Sequence, residues 1–120
     1  YDTVEQMVMS LFELRVNRNI KFSKDSIFAD WALLGLDNSL WNKQVNEISG
    51  GQRQRIMLTI AGLTGKQLLL ADEPTSALDS ESALLVAKYF RMLAKERNMA
   101  ILAVSHSEAF AKECDRVIKL

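Results

Sequence analysis

Apolar residues recur at helical spacing in the first third of the chain and form short continuous runs later. Thr3 and Gln6 make a capping box, and an apolar stripe at helical intervals follows it: Val4, Met7, Val8, Leu11 and Phe12. This pattern predicts a helix that begins after Thr3. The polar segment 17–24 predicts a loop, and a second short helix then carries Ile27, Phe28, Trp31, Leu33 and Leu34.

From Ser49 onward, helical and strand-like patterns alternate. Ser49 and Gln52 make a second capping box, which predicts a helix to about Leu63 with three inward-facing residues: Ile56, Ile60 and Leu63. The runs 67–71 and 100–104 are short and continuously apolar, as expected for parallel strands buried on both faces.

The remaining elements complete an alternating order. A helix is predicted from Ser80 to Arg97, with a buried stripe formed by Ala83, Val86, Ala87, Phe90, Leu93 and Ala94. Ser107 is expected to cap a short helix, and residues 116–120 are expected to form a third strand. Strand, helix, strand, helix, strand predicts an α/β fold with a parallel sheet, preceded by a small all-helical subdomain. The predicted boundary separates residues 1–64 from residues 65–120.

Composition narrows the class of protein. The chain has 120 residues, of which 48% are apolar, and this is enough for the core of a globular domain. Fifteen basic and fifteen acidic residues balance, so no net field favours nucleic acid or an anionic membrane. The apolar runs are far shorter than the ~20 residues that span a bilayer. The single cysteine, Cys114, cannot form an internal disulfide, which suits a reducing compartment.

Three polar clusters stand where these elements begin or end. Ser49, Gly50, Gly51 and Gln52 open a helix, whose amino terminus offers free N–H groups and positive potential to an anion. Asp72 and Glu73 follow the first apolar run, and His106 follows the second. Carboxyl ends of parallel strands are the usual place for ligand chemistry. The plainer alternatives are a well-capped helix, a pair of solvated acids and an ordinary surface or core histidine.

Together these clusters resemble the motifs of ATP-binding-cassette (ABC) ATPases. Residues 48–52 are similar to the signature motif, 68–79 to the Walker B motif and D-loop, and Ser105-His106 to the switch histidine. Order and spacing match over essentially the whole chain, although Ile48 replaces a commoner leucine. The fold that the resemblance implies is part of the P-loop NTPase (RecA-like) sheet. Its helical subdomain corresponds to the first 47 residues.

The resemblance implies a role for each cluster. Ser49, Gly50, Gly51 and Gln52 would touch the γ-phosphate of ATP held by an opposing subunit, a second copy in a head-to-tail dimer. Arg53 and Arg55 either reach phosphate or are solvated.

For the two acids and the histidine, the resemblance implies the family's catalytic roles. Asp72 would hold Mg²⁺, usually through water, and Glu73 would be the general base that orients the attacking water. His106 would contact the γ-phosphate and that water. Ser76 and Asp79 would form a D-loop across the dimer seam, while Asp79 or Ser80 also suits a helix cap.

The family's phosphate-gripping glycine loop is not found in the 120 residues. Gly62 to Gln67 superficially resembles one, but the spacing is wrong and the segment is interpreted as a helix terminator. We therefore expect the chain to be the carboxyl-terminal part of a nucleotide-binding domain, inactive by itself. Strands left without neighbours are expected to make the isolated chain marginally stable or self-associating.

The resemblance favours an ABC transporter subunit that couples ATP binding and hydrolysis to transport, on the cytoplasmic face of the membrane. Its expected partners are a second ATPase subunit and an integral membrane subunit, without nucleic acid. Met9, Leu14 and Trp31 either contact that membrane subunit or pack inside the subdomain. The alternatives are a soluble ABC-type ATPase, of the translation-factor or chromosome-repair type, and a non-catalytic module that contributes only a signature face.

Overall fold

The computed structural model describes residues 2–15 and 23–119, which divide into two units, Tyr1–Lys66 and Gln67–Leu120. In the first unit the described elements are helical: α1 (Val4–Arg15), α2 (Lys24–Leu33), two 3₁₀ helices (Asn38–Asn42 and Val45–Glu47) and α3 (Gly50–Leu63). In the second unit strands and helices alternate: β1 (Leu68–Asp72), α4 (Ser80–Glu96), β2 (Ala100–Val104) and α5 (Glu108–Lys112). Most of the predicted loop at 17–24 and the side chain of Leu14 lie outside the described residues.

Both predicted capping boxes are formed. Before α1, the Gln6 backbone N–H donates to Thr3 Oγ1 at 3.2 Å, and the Thr3 N–H donates to Gln6 Oε1 at 3.1 Å. Before α3, the Gln52 N–H donates to Ser49 Oγ at 3.0 Å, and the Ser49 N–H donates to Gln52 Oε1 at 2.9 Å. Each box satisfies two backbone donors that a helix start would otherwise leave unpaired. At the other end of α3, Gly65 has a φ of 72° and terminates the helix as predicted.

The core of the helical unit is built around aromatic rings. Phe28, Trp31 and Trp41 lie with ring centroids 5.5–5.9 Å apart. Lys24 Nζ lies 5.4 Å from the Phe28 centroid and 5.5 Å from that of Trp41, within cation–π range. Trp31 is fully buried, so of the two alternatives left open for this residue the structure has the second, packing inside the subdomain. An indole is too large to leave this cluster without opening a cavity. Met9 keeps 38% of its surface exposed.

The sheet unit contains two parallel strands in register. Leu68 pairs with Ala100 and Asp72 with Val104, which confirms the predicted parallel order. Burial on both faces was predicted and is wrong for this chain, because the side chains of one face are exposed: Leu68 at 56%, Leu70 at 67%, Leu102 at 61% and Val104 at 57%. A continuous apolar run cannot distinguish a face covered within the chain from one covered by another surface.

Two further expectations for this unit need correction. Residues 116–119 are not in a strand, since they pair with neither β1 nor β2, the two strands of the described sheet. A strand persists only where its backbone groups find such a partner. In α4 the buried stripe contains Val86, Ala87, Phe90 and Leu93 as predicted, but it also includes Tyr89, whereas Ala94 is exposed.

Across residues 2–15 and 23–119, no helix combines the length and the apolarity that a membrane crossing requires.

Candidate functional site

Glu73 and His106 meet at the carboxyl ends of the two paired strands. The Glu73 N–H donates to the Val104 carbonyl at 2.7 Å and extends the β1–β2 pairing by one residue. His106 Nε2 lies 3.4 Å from Glu73 Oε1, slightly longer than a typical N–H···O hydrogen bond. The imidazole is 95% exposed and the Glu73 side chain 33% exposed. An acid and a histidine, 33 residues apart in sequence, thus form one pair at the sheet edge.

The backbone of Glu73 turns sharply out of β1. Its φ of 48° lies in the left-handed region, which costs a non-glycine residue roughly 1–3 kcal/mol. Pro74 follows directly, and a proline disfavours right-handed helical angles at the residue before it, which Glu73 avoids. The extended conformation that usually precedes proline is not adopted. The reason is local, since the Ser76 N–H donates to the Glu73 carbonyl at 3.2 Å and closes a tight turn.

Asp72 is the exposed last residue of β1 and pairs with Val104. Among the described residues, no group of three or more His, Cys, Asp or Glu side chains is arranged to hold a metal ion. A single carboxylate still fits Mg²⁺, because this ion keeps several waters and commonly takes one or two carboxylates together with substrate phosphates. Asp72 therefore suits a metal only where a nucleotide supplies the other oxygens.

The predicted D-loop leads into α4. Asp79 Oδ1 accepts the Ser82 N–H at 2.8 Å, so Asp79 is the helix cap, and Ser76 is exposed. Beside these residues the sheet unit has a groove of about 250 Å³, lined by polar and apolar side chains that include Glu73, Ser76, Asp79, Ser107 and Phe110. The cap is established by this geometry, and the D-loop role of Ser76 and Asp79 stays a prediction.

The signature segment, residues 48–52, belongs to the helical unit. The side chains of Ser49 and Gln52 accept the two hydrogen bonds of the capping box, and the Ser49 hydroxyl can still donate its proton to another group. A Cβ placed on Gly50 would meet no atom within 4 Å. Packing inside this chain therefore does not require glycine there, and glycine weakens a helix by roughly 0.5–1 kcal/mol relative to alanine. An absent side chain at an exposed helix start leaves the backbone open to an external ligand.

Arg55 has a role that sequence reasoning left undecided. Its guanidinium donates to the Leu34 carbonyl at 2.9 Å and to the Gly51 carbonyl at 3.2 Å. It thereby ties the start of α3 to the end of α2, whereas Arg53 is exposed. Helical periodicity gave no signal for this contact, because Leu34 is 21 residues away.

The structure thus brings together Glu73 and His106, and it places Asp72, Ser76 and Asp79 in the same unit. Ser49, Gly50, Gly51 and Gln52 lie in the other unit. Their predicted meeting with the acids around one triphosphate stays a prediction.

Comparison with known proteins resolves the family. The ABC transporter family model matches residues 2–76, which is more than half of the chain. The chain belongs to the ABC transporter family. This confirms the predicted resemblance, and the match includes the signature segment, Asp72 and Glu73.

Individual relatives agree with this assignment. The lipoprotein-releasing system ATP-binding protein LolD of Acinetobacter baylyi is 34% identical over all 120 residues, which make up 52% of that protein. The macrolide export ATP-binding/permease protein MacB of Haemophilus ducreyi is 44% identical over 85 residues, or 71% of this chain and 12% of that one. The chain therefore spans only about half or less of the length of these relatives.

The fold also has a counterpart among solved structures. A bacterial ABC transporter cassette, solved as a dimer, superimposes with a TM-score of 0.76 at 23% identity. The superposition covers 92% of this chain and 49% of the cassette. The predicted fold class, a partial P-loop NTPase α/β fold with a helical subdomain, is confirmed.

Proposed function

We propose that this chain is the carboxyl-terminal part of the nucleotide-binding domain of an ABC transporter. The whole domain would bind and hydrolyse ATP to drive transport. The observation that carries the proposal is the contact between Glu73 and His106 at the paired strand ends. Capped helices and parallel strands are common, whereas an acid and a histidine brought together at the strand ends, in this motif order, support ATP-hydrolysing chemistry of this kind.

Within that function each residue has a role. Glu73 would accept a proton from the attacking water, and His106 would orient that water and contact the γ-phosphate. Asp72 would hold Mg²⁺, which neutralises charge on the phosphates. The distance between Glu73 and His106 supports these roles, because the two side chains are close enough to act on the same small molecule.

The signature segment would act on a second nucleotide. Ser49, Gly50, Gly51 and Gln52 present a helix amino terminus without a side chain at position 50, which suits an approaching phosphate. In a head-to-tail dimer this segment would close on ATP held by the opposite subunit, with Ser76 and Asp79 at the seam. The dimeric cassette with the same fold supports such an arrangement.

The whole protein would act at the cytoplasmic face of a membrane, together with a membrane-spanning subunit or domain. Support comes from relatives whose names describe lipoprotein release and macrolide export. Co-purification of the full-length protein with a multi-span membrane protein would separate this function from that of a soluble ABC-type ATPase. Purification as a soluble dimer, with no membrane component, would favour the soluble class.

The decisive test is ATP hydrolysis, measured as phosphate release, by the full-length protein and by the 120-residue chain. We expect Glu73→Gln to lower kcat in the full-length protein by about 100-fold or more, since general base catalysis typically contributes 10²–10⁴-fold. Glu96→Gln, at the exposed end of α4, serves as the control and should leave kcat unchanged.

Equal effects of Glu73→Gln and Glu96→Gln would refute the assignment of Glu73. We expect the 120-residue chain alone to release no phosphate above background, because no phosphate-gripping loop is present in it. Turnover by the chain alone that Glu73→Gln abolishes would overturn this part of the proposal.

A further inference from the structure

The first feature to consider is how the His106 side chain is held. Its ring is 95% exposed, so packing does not fix its position. It lies in the short connection between the end of β2 at Val104 and the start of α5 at Glu108. The direction of its side chain therefore depends on the backbone of residues 105–107.

Ser105 closes that connection around the histidine. Its side-chain Oγ accepts the Ser107 N–H at 3.0 Å, across His106. Ser107 Oγ in turn accepts the Phe110 N–H at 3.2 Å and caps α5. A serine that bonds the backbone two residues on forms a compact turn and restricts the residue between.

The two ends of this turn are anchored. On one side, Val104 pairs with Asp72 and accepts the Glu73 N–H at 2.7 Å. On the other side, Phe110 of α5 packs edge-to-face against Phe90, with centroids 6.0 Å apart. Arg91 also donates to the Glu113 carbonyl at 2.8 and 3.3 Å. Between these two anchored flanks, the Ser105–Ser107 hydrogen bond spans His106 and restrains the loop backbone on either side of it.

We propose that Ser105 is a positioning residue for the His106–Glu73 pair. Without its hydroxyl, the Ser107 N–H loses its acceptor inside the turn and the loop relaxes toward solvent. His106 then spends less time within reach of Glu73, and the rate of hydrolysis falls while nucleotide binding is little affected. This inference rests on the proposed function, since it assigns Ser105 to the same reaction.

The test compares Ser105→Ala with Ser105→Thr, which keeps the hydroxyl, in the full-length protein. We expect Ser105→Ala to lower kcat for ATP hydrolysis about tenfold with KM changed less than about twofold, because small misplacements of a reacting group are costly to rate. Ser105→Thr should restore most of the rate. The control is Ser82→Ala, a half-buried serine of α4, which should leave kcat unchanged.

A double-variant cycle separates positioning from general destabilisation. If Ser105 acts through His106, then Ser105→Ala should cost nothing further in a His106→Ala background. Independent, multiplying losses would overturn the proposal, as would a Ser105→Thr variant as slow as Ser105→Ala. Should Ser105→Ala not fold, Ser105→Cys replaces the hydroxyl with a weaker acceptor and takes its place in the same cycle.

A second readout does not depend on hydrolysis. The NMR signal of the His106 ring, assigned by its loss in His106→Ala, should move in the same direction in Ser105→Ala and in Glu73→Gln, and should stay in place in Ser82→Ala. An unmoved signal in Ser105→Ala refutes the positioning role. If the signal moves as expected while neither Glu73→Gln nor His106→Ala slows hydrolysis, the proposed function has failed and the positioning contact stands.

Discussion

The two units of this chain differ in how far they bury their own apolar side chains. In the helical unit Ile27, Trp31 and Ile56 are at most 1% exposed, and only Met9 and Leu33 are large, apolar and exposed among its described residues. In the sheet unit one face exposes more than half of each of four aliphatic side chains, from Leu68 to Val104. Soluble monomers rarely leave such contiguous patches open. The unit that carries Glu73 and His106 therefore depends on apolar surface that the described residues, 2–15 and 23–119, do not supply.

The largest expected effect concerns the closed core of the helical unit. Ile27 and Leu33 are aliphatic residues of the same helix, α2, at 1% and 48% exposure. Ile27→Ala should lower the free energy of unfolding by about 2–5 kcal/mol, because it removes buried methyl groups and leaves a cavity. The matched variant Leu33→Ala should change it by less than about 0.5 kcal/mol.

Urea unfolding followed by tryptophan fluorescence measures this unit selectively. Both tryptophans, Trp31 and Trp41, lie in it. Equal losses in Ile27→Ala and Leu33→Ala would show that the helical unit is not closed around Ile27, and the contrast between the units would be lost.

The next effect concerns the open face of the sheet unit. Leu70 and Leu102 lie opposite each other on the two strands, at 67% and 61% exposure. We expect the isolated chain to self-associate through this face. The double substitution Leu70→Lys with Leu102→Lys should raise the concentration at which the chain associates by at least about tenfold, because burying one leucine is worth ~1.5–3 kcal/mol. Sedimentation velocity gives the measurement.

The control for that experiment is Met9→Lys with Leu33→Lys, which places the same two charges on exposed apolar residues of the helical unit. It should leave self-association unchanged. A wild-type chain that stays monomeric and melts in one cooperative transition would contradict the expectation that its open face is unsatisfied.

Sequence reasoning succeeded where a local rule decides the outcome. Helix starts at Thr3, Ser49 and Ser107 follow from side chains that cap neighbouring N–H groups, and the structure has a hydrogen bond at each. The parallel pairing of β1 with β2 followed from two apolar runs separated by one helix. That pairing places Glu73 near His106, so the central pair of the candidate site was accessible from sequence.

It failed where the answer depends on a distant neighbour. The exposure of Leu70 and the missing strand at 116–119 each depend on which surfaces the rest of the molecule provides. The bond from Arg55 to the Leu34 carbonyl is of the same kind, because it joins two helices. Glu73 has a left-handed backbone because it lies in a turn closed by a hydrogen bond from the Ser76 N–H to its carbonyl. The residue types in this segment do not predict that hydrogen bond.

The smallest expected effect concerns the stability of the helical unit at low pH. In the helical unit, the Asp37 carboxylate accepts the Ser39 N–H at 2.8 Å and caps the 3₁₀ helix that carries Trp41. The backbone hydrogen bond from Ser39 holds the pKa of Asp37 below its ordinary value of 3.8. A carboxyl whose pKa is lowered by folding stabilises the fold fully above its unfolded pKa. This contribution is lost as the pH falls through the folded value.

Asp37→Asn tests that linkage. Asparagine also caps helices, so stability at neutral pH should be nearly unchanged, whereas part of the loss between pH 4 and pH 2 should disappear. The measurement is the urea midpoint by tryptophan fluorescence across this pH range, with Glu13→Gln, an exposed acid of α1, as control. If Asp37→Asn and the wild type lose stability in parallel, the cap does not sense acid. The acid response would then have to come from other carboxyls of the helical unit.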